Sequence, residues 1–170
     1  MTRLLSQSTL AGELELGEVS EKDLLAGMDW LLERQDRIEG MLAKRHLATD
    51  RFVLYDLSSS YLEGSHCELA AHGYSRDKKR GKPQIVYGLC CTPEGRPFSV
   101  KVFAGNTADP STLQDAVGRV KDQFALSNVV FVGDRGMITQ ARTVELKKLG
   151  VGFITALRAP QIQALTVHSG

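Results

Sequence analysis

The stretch Arg51-Phe-Val-Leu-Tyr-Asp56 constrains the fold most: four apolar, β-branched or aromatic residues between a base and an acid, the pattern of a short buried strand. A run of that length cannot stand alone and must pair laterally. Residues 84–91 (Gln-Ile-Val-Tyr-Gly-Leu-Cys-Cys) and 97–103 repeat the texture. Thr92-Pro-Glu-Gly-Arg96 between them supplies a Pro and a Gly, so the two runs read as a hairpin with a turn of four or five residues. Asp109-Pro110 opens a helix over residues 111–123 with proline in its first turn. Residues 128–133 form a fourth strand that ends at Asp134. Thr139 caps a helix running to Leu149, Gly150 closes it in a left-handed cap, and residues 151–156 are a fifth strand. Hairpins make antiparallel neighbours and strand–helix–strand units make parallel ones. The order strand, long loop, hairpin, helix, strand, helix, strand therefore predicts an α/β chain with a mixed sheet and flanking helices.

Three segments follow from the change of texture along the chain. Residues 1–18 hold no sustained period and read as a flexible lead-in. Residues 19–47 read as one amphipathic helix. Ser20, with Asp23 three residues on, is a weaker form of the capping box, and Leu24, Leu25, Met28, Leu31, Ile38 and Leu42 recur at spacings of three and four. This apolar face must pack on something, and Trp30 beside it reads as core or interface. Residues 51–170 carry the sheet.

Composition narrows the class. A chain of 170 residues holds about one ordinary domain. At 42% hydrophobic and 24% charged it is not a disordered chain. The formal charges nearly cancel, 21 − 20 = +1, so affinity for nucleic acid must come from a local patch. No apolar run reaches the ~18 residues of a membrane span, and residues 1–16 lack the order of a secretory signal. A cytoplasmic location with no membrane partner is the default expectation. Cys67, Cys90 and Cys91 contain no C-x-x-C pair and indicate no disulfide framework. The spacing of His66, Cys67 and His72 fits no zinc pattern.

Asp56 and Asp134 each close an apolar run and are followed at once by small or polar residues. Strands hold side chains more rigidly than loops do. If the two strand ends are adjacent, the carboxylates repel each other unless a divalent cation sits between them. Hard oxygen donors select Mg²⁺ or Mn²⁺, and the matching chemistry is two-metal phosphoryl transfer with ions ~3.5–4 Å apart. Strand-end aspartates also cap helices and turns, and the pattern alone leaves both readings open. The segment Arg76-Asp-Lys78-Lys79-Arg80-Gly-Lys82 carries five positive charges and one negative. It suits DNA backbone phosphates, with a solvated turn as the other reading. An aspartyl-nucleophile phosphatase is disfavoured because the position two residues beyond Asp56 is Ser58.

Four blocks carry a resemblance: Tyr55-Asp56-Leu-Ser-Ser-Ser-Tyr61, Gly73-Tyr-Ser-Arg-Asp-Lys78, Phe103-Ala-Gly-Asn-Thr-Ala-Asp-Pro110 and Gly133-Asp-Arg-Gly-Met137. In this order and spacing the chain resembles the DDE transposases of bacterial insertion sequences, in the branch with an Asp-Arg-Gly block at the second acid. The resemblance runs from about Ser20 to Arg158. It implies an RNase H-like fold with Asp56 and Asp134 as catalytic, metal-binding acids and two Mg²⁺ (or Mn²⁺) ions in the complete active site. It also implies Arg135 beside the DNA, with Arg76, Lys78, Lys79, Arg80 and Lys82 near its backbone. Transposon ends and target DNA are the implied partners, together with a second copy or a full-length transposase.

The family's third carboxylate, a Glu in a later Tyr…Arg…Glu…Lys block, has no counterpart after Arg158. Glu63 reads as lining a loop and Glu145 as surface. The expectation is therefore a partial catalytic domain, incomplete at its C-terminus, from a truncated gene or split reading frame and inactive alone. Its sheet would keep an uncovered apolar face prone to self-association. A non-catalytic DNA-binding or assembly remnant is the alternative.

Overall fold

A computed structural model describes residues 9–47, 52–73, 81–126, 129–134, 136–157, 159 and 162–163. The chain divides into two units, Met1–Glu39 and Gly40–Gly170. In the first, Leu10–Glu13 is a single helical turn, α1, and Glu21–Glu33 is α2. The capping box is fully formed: Ser20 Oγ accepts from Asp23 N at 3.2 Å, and Asp23 Oδ2 accepts from Ser20 N at 2.9 Å. Where the three-four spacing predicts one helix, the backbone has two. Arg34 leaves helical geometry at φ −110°, ψ 4°, and α3 resumes over Gln35–His46. The Arg34 guanidinium bonds the Trp30 carbonyl at 3.2 Å and lies 4.4 Å from the centre of its ring. Of the two roles expected of Trp30, the core one is excluded, because its ring is exposed beneath the stacked Arg34.

The second unit is built on one five-stranded sheet in the order β3-β2-β1-β4-β5. The strands are β1 (Phe52–Tyr61), β2 (Gln84–Cys91), β3 (Pro97–Ala104), β4 (Val130–Val132) and β5 (Gly152–Ile154). β1, β2 and β3 are mutually antiparallel neighbours, and β4 and β5 add in parallel beside β1. The sheet is mixed and flanked by helices, as the succession of elements predicts. Thr92 N bonds the Arg96 carbonyl at 2.9 Å, which closes the expected hairpin turn. The helix after it is α4, Asp109–Gly118, continued by a π-helical turn at Arg119–Gln123. The last helix, α5, is Gln140–Lys148 and ends at Gly150 with φ +67°, the left-handed cap its sequence predicts.

β1 is longer than its apolar run. The strand continues through Ser58, Ser59 and Ser60, so Asp56 lies within it and does not end it. The extension has a plain cause. β2 offers a complementary ladder from Leu54↔Cys91 to Tyr61↔Gln84, and backbone pairing does not require apolar side chains.

One sheet face carries the core. Val53, Tyr55 and Leu57 of β1 and Phe131 of β4 pack under Leu113, Val117 and Val120, and Tyr55 meets Phe131 edge to face at 6.5 Å. On the opposite face Phe52, Leu89, Val100, Val102 and Ile154 stay exposed. No described element covers them.

Two features of the core are tight. The Tyr55 hydroxyl is buried without a partner at hydrogen-bond geometry, beside Thr112, whose own hydroxyl donates to Asp109 O at 2.7 Å. The phenol fits only because residue 88 is glycine: a Cβ there would lie under 3.0 Å from the Tyr55 ring and hydroxyl. Burial pushes the phenol above its ordinary value, opposed in part by nearby Thr112, with the charge of Cys90 a lesser cause. Tyr55→Phe is therefore expected to leave stability unchanged or raise it by about 1 kcal/mol, since the lost hydroxyl makes no bond. The unfolded tyrosine ionises near pH 10 while the folded one stays neutral, so this residue's contribution is present below about pH 10 and is lost above it. Urea unfolding should show the variant losing less stability than wild type between pH 9 and about 11. A loss greater than about 1 kcal/mol at neutral pH would mean the hydroxyl is bonded.

The second tight point is a crossing of two glycines. Gly105 N bonds Leu69 O at 2.9 Å, Gln84 Nε2 bonds Gly105 O at 2.9 Å, and Ala71 pairs with Gln84 through reciprocal backbone bonds of 3.1 and 3.0 Å. The loop after β1 is thereby fastened to the turn after β3.

Candidate active site

The parallel pairing of β1 and β4 builds the site. Phe52 pairs with Val130 and Leu54 with Val132. Extrapolated two residues beyond its last pair, this register would align Asp56 with Asp134. Neighbouring strands lie ~4.8 Å apart and residues of equal register face the same way. The strands stay close past the last paired residues, because a Cβ at Gly133 would lie 3.5 Å from the Tyr55 carbonyl oxygen. Gly133 N also bonds the Ile154 carbonyl at 3.2 Å, which holds the exit of β4 in the sheet.

Alternation settles which face Asp56 occupies. Val53, Tyr55, Leu57 and Ser59 are buried on the core side, so Asp56 and Ser58 project from the open side. Both acids are exposed. Asp56 Oδ1 accepts the Leu57 amide at 2.8 Å. Asp134 Oδ1 accepts two amides, Gly136 N at 2.8 Å and Met137 N at 2.9 Å, which fixes its rotamer through the turn before α5. The capping role is thus real at Asp134, and it engages one oxygen of the carboxylate.

Cys91 pairs with Leu54 on this same face. Burial pushes its thiol up, and the negative charge of Asp56 adds to the shift. Among the described residues there is no group of three or more His, Cys, Asp or Glu side chains that could hold a metal ion.

The other sequence candidates fall elsewhere. Lys82 is ion-paired to Glu63, and its ammonium lies 5.1 Å from the centre of the Tyr61 ring. Glu145 is ion-paired to Arg142 and accepts from Gln114 Nε2 at 2.9 Å, which joins α5 to α4. Arg76, Lys78, Lys79, Arg80 and Arg135 lie outside the described residues. Reading by motif missed Gln84, Gly73 and Gly105 as one assembly. The only signal was a glycine in each of two blocks, with nothing in sequence to pair them.

No protein-family model matches the chain, and no curated protein matches it. It is similar to solved structures of a transposase. One is the Mos1 transposase paired-end complex with left transposon end, at 14% identity over 89% of this chain and 56% of that one, TM-score 0.40. Another is the Mos1 Strand Transfer Complex, at 15% identity over 98% of this chain and 62% of that one, TM-score 0.42. A third is the Mos1 mariner paired end complex with Mn, at 15% identity over 89% and 56%, TM-score 0.37. The chain spans less than two thirds of the length of each. Likeness of this degree is not evidence of activity or substrate. No helix among the described residues is long and apolar enough to cross a membrane.

Proposed function

We propose that this chain is part of the catalytic domain of a DDE transposase of the insertion-sequence type, acting on transposon-end and target DNA. The observation that supports the reading is the parallel register of β1 and β4, which, continued two residues past its last pair, Leu54↔Val132, would align Asp56 with Asp134. Two carboxylates so placed suit a hard divalent cation, Mg²⁺ or Mn²⁺, better than a softer-ligand metal. Such ions, when bound, activate the attacking oxygen and stabilise the leaving one in phosphoryl transfer. The protein's own contribution is rigidity: β1 is paired along both edges at Leu54, and Asp134 is held by two amides.

The chain is inactive by itself in this reading. Glu63 and Glu145, the acids weighed as a third ligand, are committed to Lys82 and to Arg142 and Gln114. The basic residues Arg76, Lys78, Lys79 and Arg80, with Arg135, contact the DNA backbone through phosphate. In Mg²⁺ or Mn²⁺ the purified chain is expected to bind DNA with salt-sensitive affinity and to leave transposon-end DNA uncut. Neutralising Lys78, Lys79 and Arg80 together lowers that affinity and flattens its salt dependence. Strand cleavage by the isolated chain, lost on Asp56→Asn, would overturn the inactivity. DNA binding unaffected by the triple neutralisation would remove the basic segment from the interface.

The non-catalytic reading has one observation in its favour, the two amides on Asp134 Oδ1. It differs in its expectation: DNA binding without any divalent-ion dependence.

A further inference from the structure

We infer that the hydroxyls of Ser58, Ser60 and Tyr87 form a track for the sugar–phosphate backbone of one DNA strand leading away from Asp56. This track serves the catalytic reading of Asp56 and Asp134 and rests on it. The row of hydroxyls is fixed by register within the second unit. Alternation puts Asp56, Ser58 and Ser60 on the open face of β1, with Leu57 and Ser59 on the core face. Tyr87 pairs with Ser58 across to β2, and its hydroxyl lies 3.3 Å from that of Ser60. At a strand rise of ~3.3 Å per residue, Asp56, Ser58 and Ser60 follow one another at ~6.6 Å, a step that suits successive phosphates of an extended strand.

The surroundings of the row match such a ligand. β4 pairs with β1 no further than Leu54, so among the described residues no strand closes the margin beside Ser58 and Ser60. On the other side Leu89, Val100 and Val102 are exposed. Leu89 pairs with Asp56, and Val102 with Tyr87. A polar rail beside an apolar shelf offers hydrogen bonds to phosphates and contact to sugars and bases. The rail has no net charge of its own, because at its far end Lys82 and Glu63 are paired with each other. Asp56 repels a phosphodiester unless a divalent cation is bound there, so the rail holds DNA only with the ion present. Hydroxyls fix the position of a backbone and release no counterions, which sets them apart from the lysines and arginines of the basic segment.

Fluorescence anisotropy of the full chain with a mixed-sequence DNA single strand of about twelve nucleotides, in Mn²⁺ and in EDTA, tests this. The triple substitution Ser58→Ala, Ser60→Ala, Tyr87→Phe is expected to raise the dissociation constant about tenfold in Mn²⁺ without changing its salt dependence, since the lost hydrogen bonds are neutral. In EDTA the variant and wild type agree within about twofold. Mn²⁺ affinity stays at the wild-type value, because both acids are kept. Ser60→Lys is the opposite probe: a cation on the track steepens the logarithmic salt slope by about 0.7, whereas Val144→Lys at an exposed position of α5 leaves it unchanged. Equal DNA affinity of the triple variant and wild type in Mn²⁺, or an unchanged slope in Ser60→Lys, overturns the track and leaves the two-acid reading standing. A wild-type chain that binds Mn²⁺ but no DNA strand also overturns the track, and one that binds neither overturns the two-acid reading with it.

Discussion

Gly105→Ala is expected to cost about 3–5 kcal/mol of folding stability, enough to unfold much of the protein at 25 °C. A Cβ at residue 105 would sit under 3.0 Å from the carbonyl oxygens of Gln84 and Ala71. Both oxygens already accept the reciprocal bonds that join Ala71 to Gln84, so neither can retreat without breaking that pair. Gly73 meets the same point from the other side, since its own Cβ would collide with the Gly105 carbonyl oxygen. Overpacking alone costs about 1–3 kcal/mol, and each backbone bond lost adds about 1. Gly40→Ala is the control. Nothing lies within 4 Å of its Cβ position, and in a helix the change should be neutral or favourable by up to about 1 kcal/mol. Urea unfolding of the three proteins checks both, and a Gly105→Ala variant within about 1 kcal/mol of wild type would show that the crossing is loose.

The crossing also explains how far the fold was legible in the sequence. Local signals carried well: the Ser20–Asp23 box, the Thr92–Arg96 turn and the Gly150 cap are decided within a few residues. The five strands and their succession along the chain followed from apolar runs and connection lengths. What failed was anything set by neighbours. β1 runs on through three serines because β2 supplies the ladder. The long helix breaks at Arg34, whose side chain folds back on Trp30, and no periodicity marks that stop. Gly73 and Gly105 are thirty-two residues apart, and the Ala71–Gln84 bridge together with the β2–β3 register brings them together.

At the site, sequence identified the two acids but not their relation. An apolar run ending in Asp says where a carboxylate is held and not which strand lies alongside. That fact comes from β4 pairing with β1 in parallel, after a helix that crosses the core face. The same pairing leaves Asp56 exposed among apolar neighbours such as Leu89 and Val100 on the open face.

The second large effect belongs to these two carboxylates. In the proposed site, removing either carboxylate deletes an anionic ligand and halves the local negative charge, so Asp56→Asn or Asp134→Asn should each weaken divalent-ion binding by at least about tenfold. At Asp134 the choice of substitution decides stability for a physical reason. An Asn side-chain oxygen still accepts the Gly136 and Met137 amides, so Asp134→Asn keeps the turn, whereas Asp134→Ala leaves both amides without that partner and costs about 1–2 kcal/mol. Separating metal loss from turn loss therefore requires the Asn variant, with its fold checked by unfolding.

The most direct measurement is a Mn²⁺ titration of the full chain followed by electron paramagnetic resonance, with wild type, Asp56→Asn and Asp134→Asn side by side. The expected result is saturable binding to wild type, displaced by Mg²⁺, and weakened in both variants while their unfolding curves stay near wild type. Equal Mn²⁺ binding in all three proteins, or none in wild type, would contradict a metal site shared by Asp56 and Asp134.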